Sequence, residues 1–534
     1  KLRRRKDEEI TNQGRPASLV LIVGVFILLV SGLSDALAKS IYPLATEQTL
    51  TYWSSFPAAA SKHGITFGDT PFYKELVKRT GVKVKFIHPP WGQEAQQLNL
   101  MIAAGDLPDM MEYTWLNYPG GPEKAIQDGV IADLNPIINK YAPNLRRILR
   151  SNREIDKMVK TDTGKYYVFP FLRLDDSLLV YMGPMLRADW LKELGLEVPT
   201  TIDEWYTVLK AFKEKKGATA PLTITAGALR EDFANAFNFF APSIGNGFYV
   251  DRGKVKYGWI DPNMKNFYIT MNKWYKEGLL DPNFATVSSK TIDANIVSGK
   301  SGAAHGSGGS GIGRWLPALR EKDPKADLAG CPWPAAKKGE KIAKFGPSQA
   351  IWPGEAGNAA ISTKCKHVEE AVRFLDYNYS PEGNLLMNFG IEGISYKMVD
   401  GYPTYTDTIM KASAITQEMS RYMRGHTNGP FVQDPRYLEQ YYALPQQKQA
   451  QAEWMKTEAV KYHLPPISLT NEESSEVAKI MSEIDTYNSE MFMKFIMGTE
   501  PVENFDKYVA QVKKLGIDRV LEIYQAAYAR YRRR

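Results

Sequence analysis

Thr80-Gly81-Val82-Lys83-Val84-Lys85-Phe86-Ile87 is the stretch that decides the fold. Gly81 suits the left-handed position that closes a helix, and Thr70-Pro71 supplies the start of that helix ten residues earlier, with Pro where its missing N–H costs nothing. From Val82 onward apolar and charged residues alternate with period two, which predicts a strand. Working outward, Leu50-Thr51-Tyr52-Trp53 reads as a strand before the helix. A second helix over about 93–104 is closed by Gly105, and Pro108-Asp109-Met110-Met111 begins a third strand. Strands alternating with helices predict a parallel sheet covered on both faces, an α/β fold. Ligands of such sheets sit beyond the carboxyl ends of the strands. That edge would carry Trp53, Trp91 and the segment Glu112-Tyr113-Thr114-Trp115.

Further along, Thr201-Ile202-Asp203-Glu204 has the spacing of a capping box and predicts a helix over 205–215. Helices are also predicted over 367–379, after Ser380-Pro381, and over 475–495 and 520–530. At 534 residues, 44% hydrophobic and 24% charged, the chain has the balance of a globular protein too long for a single core. The net charge of +7 is mild for this length and predicts no nucleic-acid partner.

Residues 1–38 read as a signal peptide or N-terminal anchor. Lys1, Arg3, Arg4, Arg5, Lys6 and Arg15 precede the apolar run 17–33, and Ala36-Leu37-Ala38 offers small residues at the spacing a signal peptidase accepts. In either case the basic end stays inside and the remainder is exported. No cysteine follows the run, so a lipobox anchor is not expected. Cys331 and Cys365 are too few for a disulfide scaffold, and pairing or separate burial are both open to them.

Several chemistries are disfavoured. The six histidines show no zinc-protease spacing, and no G-x-S-x-G elbow occurs. Gly299-Lys300-Ser301 lacks the earlier glycine of a phosphate loop, and Gly306, Gly308 and Gly311 match the dinucleotide pattern only within a Gly-rich stretch. That stretch reads instead as a cleft loop whose bare backbone can approach a ligand. The acidic pairs Asp175-Asp176, Glu231-Asp232 and Glu472-Glu473 read as solvated surface, and Arg530, Arg532, Arg533 and Arg534 as a solvated tail.

A distributed set of short segments resembles extracellular solute-binding proteins of family 1, which include maltose-binding protein. The residues are Thr80-Gly81-Val82-Lys83-Val84, Ala104-Gly105-Asp106-Leu107-Pro108-Asp109, Gly129-Val130-Ile131-Ala132-Asp133-Leu134 and Gly164-Lys165-Tyr166-Tyr167-Val168-Phe169-Pro170. They continue with Arg187-Ala188-Asp189-Trp190-Leu191, Pro199-Thr200-Thr201-Ile202-Asp203-Glu204-Trp205, Ser298-Gly299-Lys300-Ser301-Gly302-Ala303 and Phe389-Gly390-Ile391-Glu392-Gly393. The match is closest to the long branch found beside sugar and oligosaccharide importers.

The resemblance implies a periplasmic-binding-protein-like architecture, with two α/β lobes of discontinuous chain membership around a hinge and central cleft. Lobe one would hold 45–165 plus 345–405 and lobe two 170–340 plus 410–534, with crossings near 167–173 and 349–358. It implies a non-enzymatic, monomeric binding subunit that takes a carbohydrate to the permease of an ABC importer, without a cofactor. A calcium loop known in some relatives would fall at 216–221, where Gly217-Ala218-Thr219-Ala220 has no carboxylate, so no metal is expected.

Carbohydrate sites use aromatic faces with polar groups at the rim. Trp53, Trp115 and Trp315 follow predicted strands or the Gly-rich loop and are the first candidates. Tyr113 and Asn117 fall where the maltose-binding relative has a contact segment, and Trp91, Trp352 and Tyr396 complete the candidate set. Trp190 and Trp205 lie in helical patterns and read as packing residues. Two other roles remain open for such a chain: a secreted polysaccharide-cleaving enzyme, which would need two carboxylates about the glycosidic bond, and a solute binder that signals to a membrane receptor.

Overall fold

A computed structural model describes residues 41–56, 66–90, 92–242, 246–339 and 358–534. The export segment at 1–38 and the candidates Trp91 and Trp352 lie outside the described residues.

In chain order the first strands are β1 (Thr49–Trp53), β2 (Lys83–Ile87), β3 (Met110–Glu112), β4 (Leu172–Arg173) and β5 (Met182–Arg187). Next come β6 (Leu222–Thr223), β7 (Phe248–Asp251), β8 (Lys254–Tyr257), β9 (Ala303–Ser307) and β10 (Leu328–Gly330). The last are β11 (Ala359–Ile361), β12 (Tyr396–Val399), β13 (Tyr402–Tyr405) and β14 (Val432–Gln433).

Two four-stranded sheets organise the molecule, β11-β3-β1-β2 and β10-β5-β9-β6. In the first, β1 runs parallel to β2 from Thr49↔Lys83 to Trp53↔Ile87, and parallel to β3. This is the βαβ pattern expected from 50–111. The fourth strand, β11, joins antiparallel to β3 from a segment more than two hundred residues downstream. The second sheet is mixed, with β5 antiparallel to both β9 and β10 and β6 parallel to β9.

Local signals account for the helices beside the first sheet. Helix Pro71–Thr80 starts with the Thr70 hydroxyl accepting from Tyr73 N and stops at Gly81 with φ 75°. Helix Glu94–Ala104 stops at Gly105, φ 68°, and Ser380 caps helix Pro381–Phe389. The capping box at helix Ile202–Lys216 is only half formed. The Thr201 hydroxyl accepts from Glu204 N, but the Glu204 carboxylate takes the N–H and hydroxyl of Thr200, one residue earlier than the box requires.

Each sheet has its own core. Leu50, Tyr52, Trp53, Met110, Trp115, Ile361, Phe374 and Phe431 are buried together around the first. Around the second, Leu186, Trp205, Phe233, Trp274 and Ala303 are buried with Ile484, Phe495, Tyr508 and Val520 from the C-terminal helices. Trp190 and Trp205 are packing residues of this core. A third cluster contains Leu178, Phe389, Tyr396, Tyr405, Met419, Tyr437 and Tyr442. Among the described residues, no helix is long and apolar enough to cross a membrane.

Two charged segments differ from expectation. Of the C-terminal arginines, Arg532 and Arg533 are exposed as expected, but Arg530 and Arg534 both donate to Asp162, Arg530 also pairs with Glu473, and the Arg534 side chain is 1% exposed. Nor is Asp232 at the surface. It is wholly buried and bonded to His305 Nδ1 at 2.9 Å, because helix Ala226–Phe233 turns that face to the core. The neighbouring carboxylate raises the His305 pKa against the opposing effect of burial. Cys331 and Cys365 are buried and unpaired.

Candidate functional site: a tyrosine-lined cavity beside the β4–β14 ribbon

Strands β4 and β14 pair in parallel, Leu172↔Val432 and Arg173↔Gln433, as a two-stranded ribbon outside both larger sheets. Beside it lies a cavity of about 280 Å³. This is near the lower end of small-molecule sites, which run roughly 300–1,000 Å³.

Its lining comes from segments far apart in sequence. Arg173 and Gln433 come from the ribbon, and Tyr181 from the approach to β5. The end of β9 and the turn after it supply Ser307, Gly309 and Ser310. The segment before β14 supplies His426 and Asn428, and Thr416 comes from helix Ile415–Tyr422. Helix Pro435–Tyr441 and the residue after it contribute Tyr437, Tyr441 and Tyr442.

The Gly-rich stretch has a clear physical role here. Gly308–Ile312 is a single π-helical turn, capped by the Ser307 hydroxyl, which accepts from Ser310 N and Gly311 N. A Cβ on Gly308 would stand 2.5 Å from the Tyr442 ring, and one on Gly309 2.5 Å from the Tyr441 ring. Bare backbone therefore lets both tyrosines close against the turn. By contrast, Gly299-Lys300-Ser301 follows the C-terminus of helix Ser289–Ser298, where the helix dipole disfavours an anion. Ser301 is buried and its hydroxyl donates to Ala220 O.

Arg173 is held in place without a carboxylate. Its Nε donates to Gln433 Oε1, and its guanidinium lies 5.3 Å from the ring centres of both Phe171 and Tyr181. Gln433, itself buried, is fixed by donating Nε2 to Gly425 O.

Besides the tyrosines, the wall holds a further titratable group in His426. The Ser420 hydroxyl donates to Thr416 O, so it accepts from His426 Nε2, 2.9 Å away, and Nδ1 is left as an acceptor with no partner among the described residues. Burial, reinforced by the Arg424 charge, pushes the His426 pKa down to about 4. A histidine depressed in the folded state contributes stability that is complete above its unfolded pKa of about 6.5 and lost as pH falls through about 4. Part of the ring borders the cavity, so the expected loss is about 1–3 kcal/mol. Denaturant titrations at pH 7 and pH 4.5 should show this loss in the wild type and a smaller one in His426→Gln.

The candidates from sequence gather elsewhere. Trp53, at the end of β1, and Trp115 are 1% and 0% exposed, with Tyr113 between them at ring distances of 6.3 and 5.6 Å. Asn117 is exposed at the end of the turn Trp115–Asn117. Trp315 is buried against Gly306 and donates Nε1 to Asp293, and Tyr396 is buried beside Phe389. None of these six is among the residues lining the cavity. The lining residues Arg173, Tyr181, Tyr437, Tyr441 and Tyr442 went unmarked, although the segment ending at Arg173 reads as a crossing and Gly306–Gly311 as a cleft loop.

Comparison with known proteins agrees with this architecture. LipO, a lipoprotein of Bacillus subtilis, is 26% identical over 347 residues, which cover 62% of this chain and 65% of LipO. The fructooligosaccharide ABC transporter substrate-binding protein FusA of Streptococcus pneumoniae is 23% identical over 546 residues, with 92% of each chain covered. The solved structure of alginate-binding protein AlgQ2 without calcium ion superposes with a TM-score of 0.74 at 28% identity, covering 92% of this chain and 100% of that one. Residues 66–385, more than half of the sequence, match the bacterial extracellular solute-binding proteins, and the chain belongs to that family.

Proposed function

We propose that the chain is the substrate-binding subunit of an ABC importer, capturing a carbohydrate in the cavity beside β4 and β14 and delivering it to a membrane permease. The two sheets with their cores serve as the lobes, and the β4–β14 ribbon belongs to the hinge about which they close. The observation that carries this reading is the lining itself: four tyrosines with hydroxyl and amide side chains, drawn from segments far apart in sequence. Aromatic faces cover the apolar side of a sugar ring while the polar groups meet its hydroxyls.

Relatives add support. FusA is named for fructooligosaccharides, AlgQ2 for alginate and YtcQ of Bacillus subtilis for polygalacturonan and rhamnogalacturonan, all of them oligomers or polymers of sugars. An oligosaccharide is accordingly the favoured ligand, and the outer face of the cell membrane or the periplasm the favoured location. The aromatic group formed by Trp53, Tyr113 and Trp115 lies at the carboxyl ends of β1 and β3, and none of the three lines the cavity. Among the described residues the cavity's lining has no Asp or Glu, whereas glycoside cleavage needs two carboxylates, and this favours capture over cleavage.

A thermal-shift screen against mono- and oligosaccharides tests the proposal. At a ligand concentration of a hundred times Kd, binding to the folded state alone should stabilise it by about 2.7 kcal/mol, with the sugar recovered unchanged. Sugar consumed during the assay would overturn it.

A further inference from the structure

We infer that the solute carries a carboxylate, as a uronic acid residue does, and that Arg173 receives it. This rests on the reading of the cavity as the solute site. With Nε engaged by Gln433, the two terminal nitrogens of Arg173 have no acceptor among the described residues. Those nitrogens form the end-on fork that matches a carboxylate in a bidentate pair. The guanidinium is already oriented by the Phe171 and Tyr181 rings and by a glutamine locked in the ribbon, so little side-chain freedom remains to be lost on binding.

The charge balance around it is one-sided. Three other shielded arginines are matched by acids: Arg187 with Asp189, Arg424 with Glu112, and Arg534 with Asp162. Among the described residues Arg173 has no ion pair, and none of those lining its cavity carries a carboxylate. Asp175 lies two residues after Arg173 and Asp434 follows Gln433, but Asp175 accepts from Ser177 and Asp434 is paired with Arg436. A neutral sugar presents many O–H donors, which carboxylates satisfy best. This wall offers instead, among the described residues, one uncompensated cation, hydroxyls and amides. In a partly desolvated cavity, such a cation favours an anionic group on the ligand.

The test is isothermal titration of the full chain with uronic acid trisaccharides (galacturonate, glucuronate, mannuronate and guluronate), each against its methyl ester and against neutral trisaccharides. One acid should bind at least about tenfold tighter than its ester, with affinity falling as salt rises. Arg173→Gln should abolish the preference for the acid, and Arg173→Lys, which keeps the charge but loses the fork, should retain part of it. Circular dichroism of both variants reports whether the fold is kept. Equal binding of acid and ester, or tighter binding of a neutral sugar, would overturn the inference while leaving carbohydrate capture intact. No binding of any sugar would instead overturn the capture reading, and this inference with it.

Discussion

Replacing Arg424 by methionine should lower the free energy of unfolding by about 3–5 kcal/mol, the cost of stranding a buried charge. Arg424 donates to both oxygens of Glu112, at 2.8 and 3.2 Å, and to Tyr73 Oη at 2.9 Å. The two side chains of the ion pair are 6% and 5% exposed. Glu112 also accepts from Tyr52 Oη at 2.6 Å, so strand β3 is tied to β1 and to the segment after helix Ile415–Tyr422 through one carboxylate. With Arg424 gone, Tyr52 alone cannot solvate that charge. Denaturant unfolding of Arg424→Met should show the loss. The double variant Glu112→Gln/Arg424→Met should lose clearly less than the two single losses added together, because the charge and its counter-charge leave together. A loss below about 1 kcal/mol in the single variant would mean that water reaches Glu112.

The second large effect is expected at Gly308→Val, on binding. The Cβ position at residue 308 is 2.5 Å from Cζ of Tyr442 and 2.6 Å from its hydroxyl. Valine must push the ring away from the turn or the turn away from Tyr181, whose carbonyl accepts from Gly308 N at 3.1 Å. Either movement reshapes the cavity wall. Affinity for whichever sugar the screen identifies should fall by about tenfold to a hundredfold. Far-UV circular dichroism should stay unchanged, since the clash is confined to one turn. Unchanged affinity would place the ligand away from Tyr442.

Much of the first sheet is legible in the sequence because its signals are local. The alternation Lys83 to Phe86 becomes an edge strand with Val84 and Phe86 turned inward and both lysines outward. Thr70, Gly81, Gly105 and Ser380 mark helix ends through bonds that span four residues or fewer. Even so, the half-formed capping box at Thr201 shows a local motif yielding to its neighbour, because Thr200 offers both an N–H and a hydroxyl to the same carboxylate. Family membership was equally readable, since it rests on short segments in a constant order.

The site was not legible to the same degree. Tryptophans after strands resemble stacking platforms, but Trp53 and Trp115 are buried in the first core. Whether an aromatic ring at a strand end faces a cleft or a core depends on what packs over it, and helices from other parts of the chain do so here. The charged residues illustrate the same point. Asp232 meets His305 across 73 positions, Arg173 meets Gln433 across 260, and Arg534 meets Asp162 across 372.

The α/β class, the βαβ start, the helix ends at Thr70, Gly81 and Gly105 and the family were set by the sequence, because caps, turns and hydrophobic periodicity act between residues a few positions apart. Tertiary packing decided that Arg173 has no ion pair among the described residues beside four tyrosines, that Asp232 is buried, and that the glycine turn receives two tyrosine rings. Those features arise where β4 and β14, some 260 residues apart, come side by side, and no short-range pattern encodes that meeting.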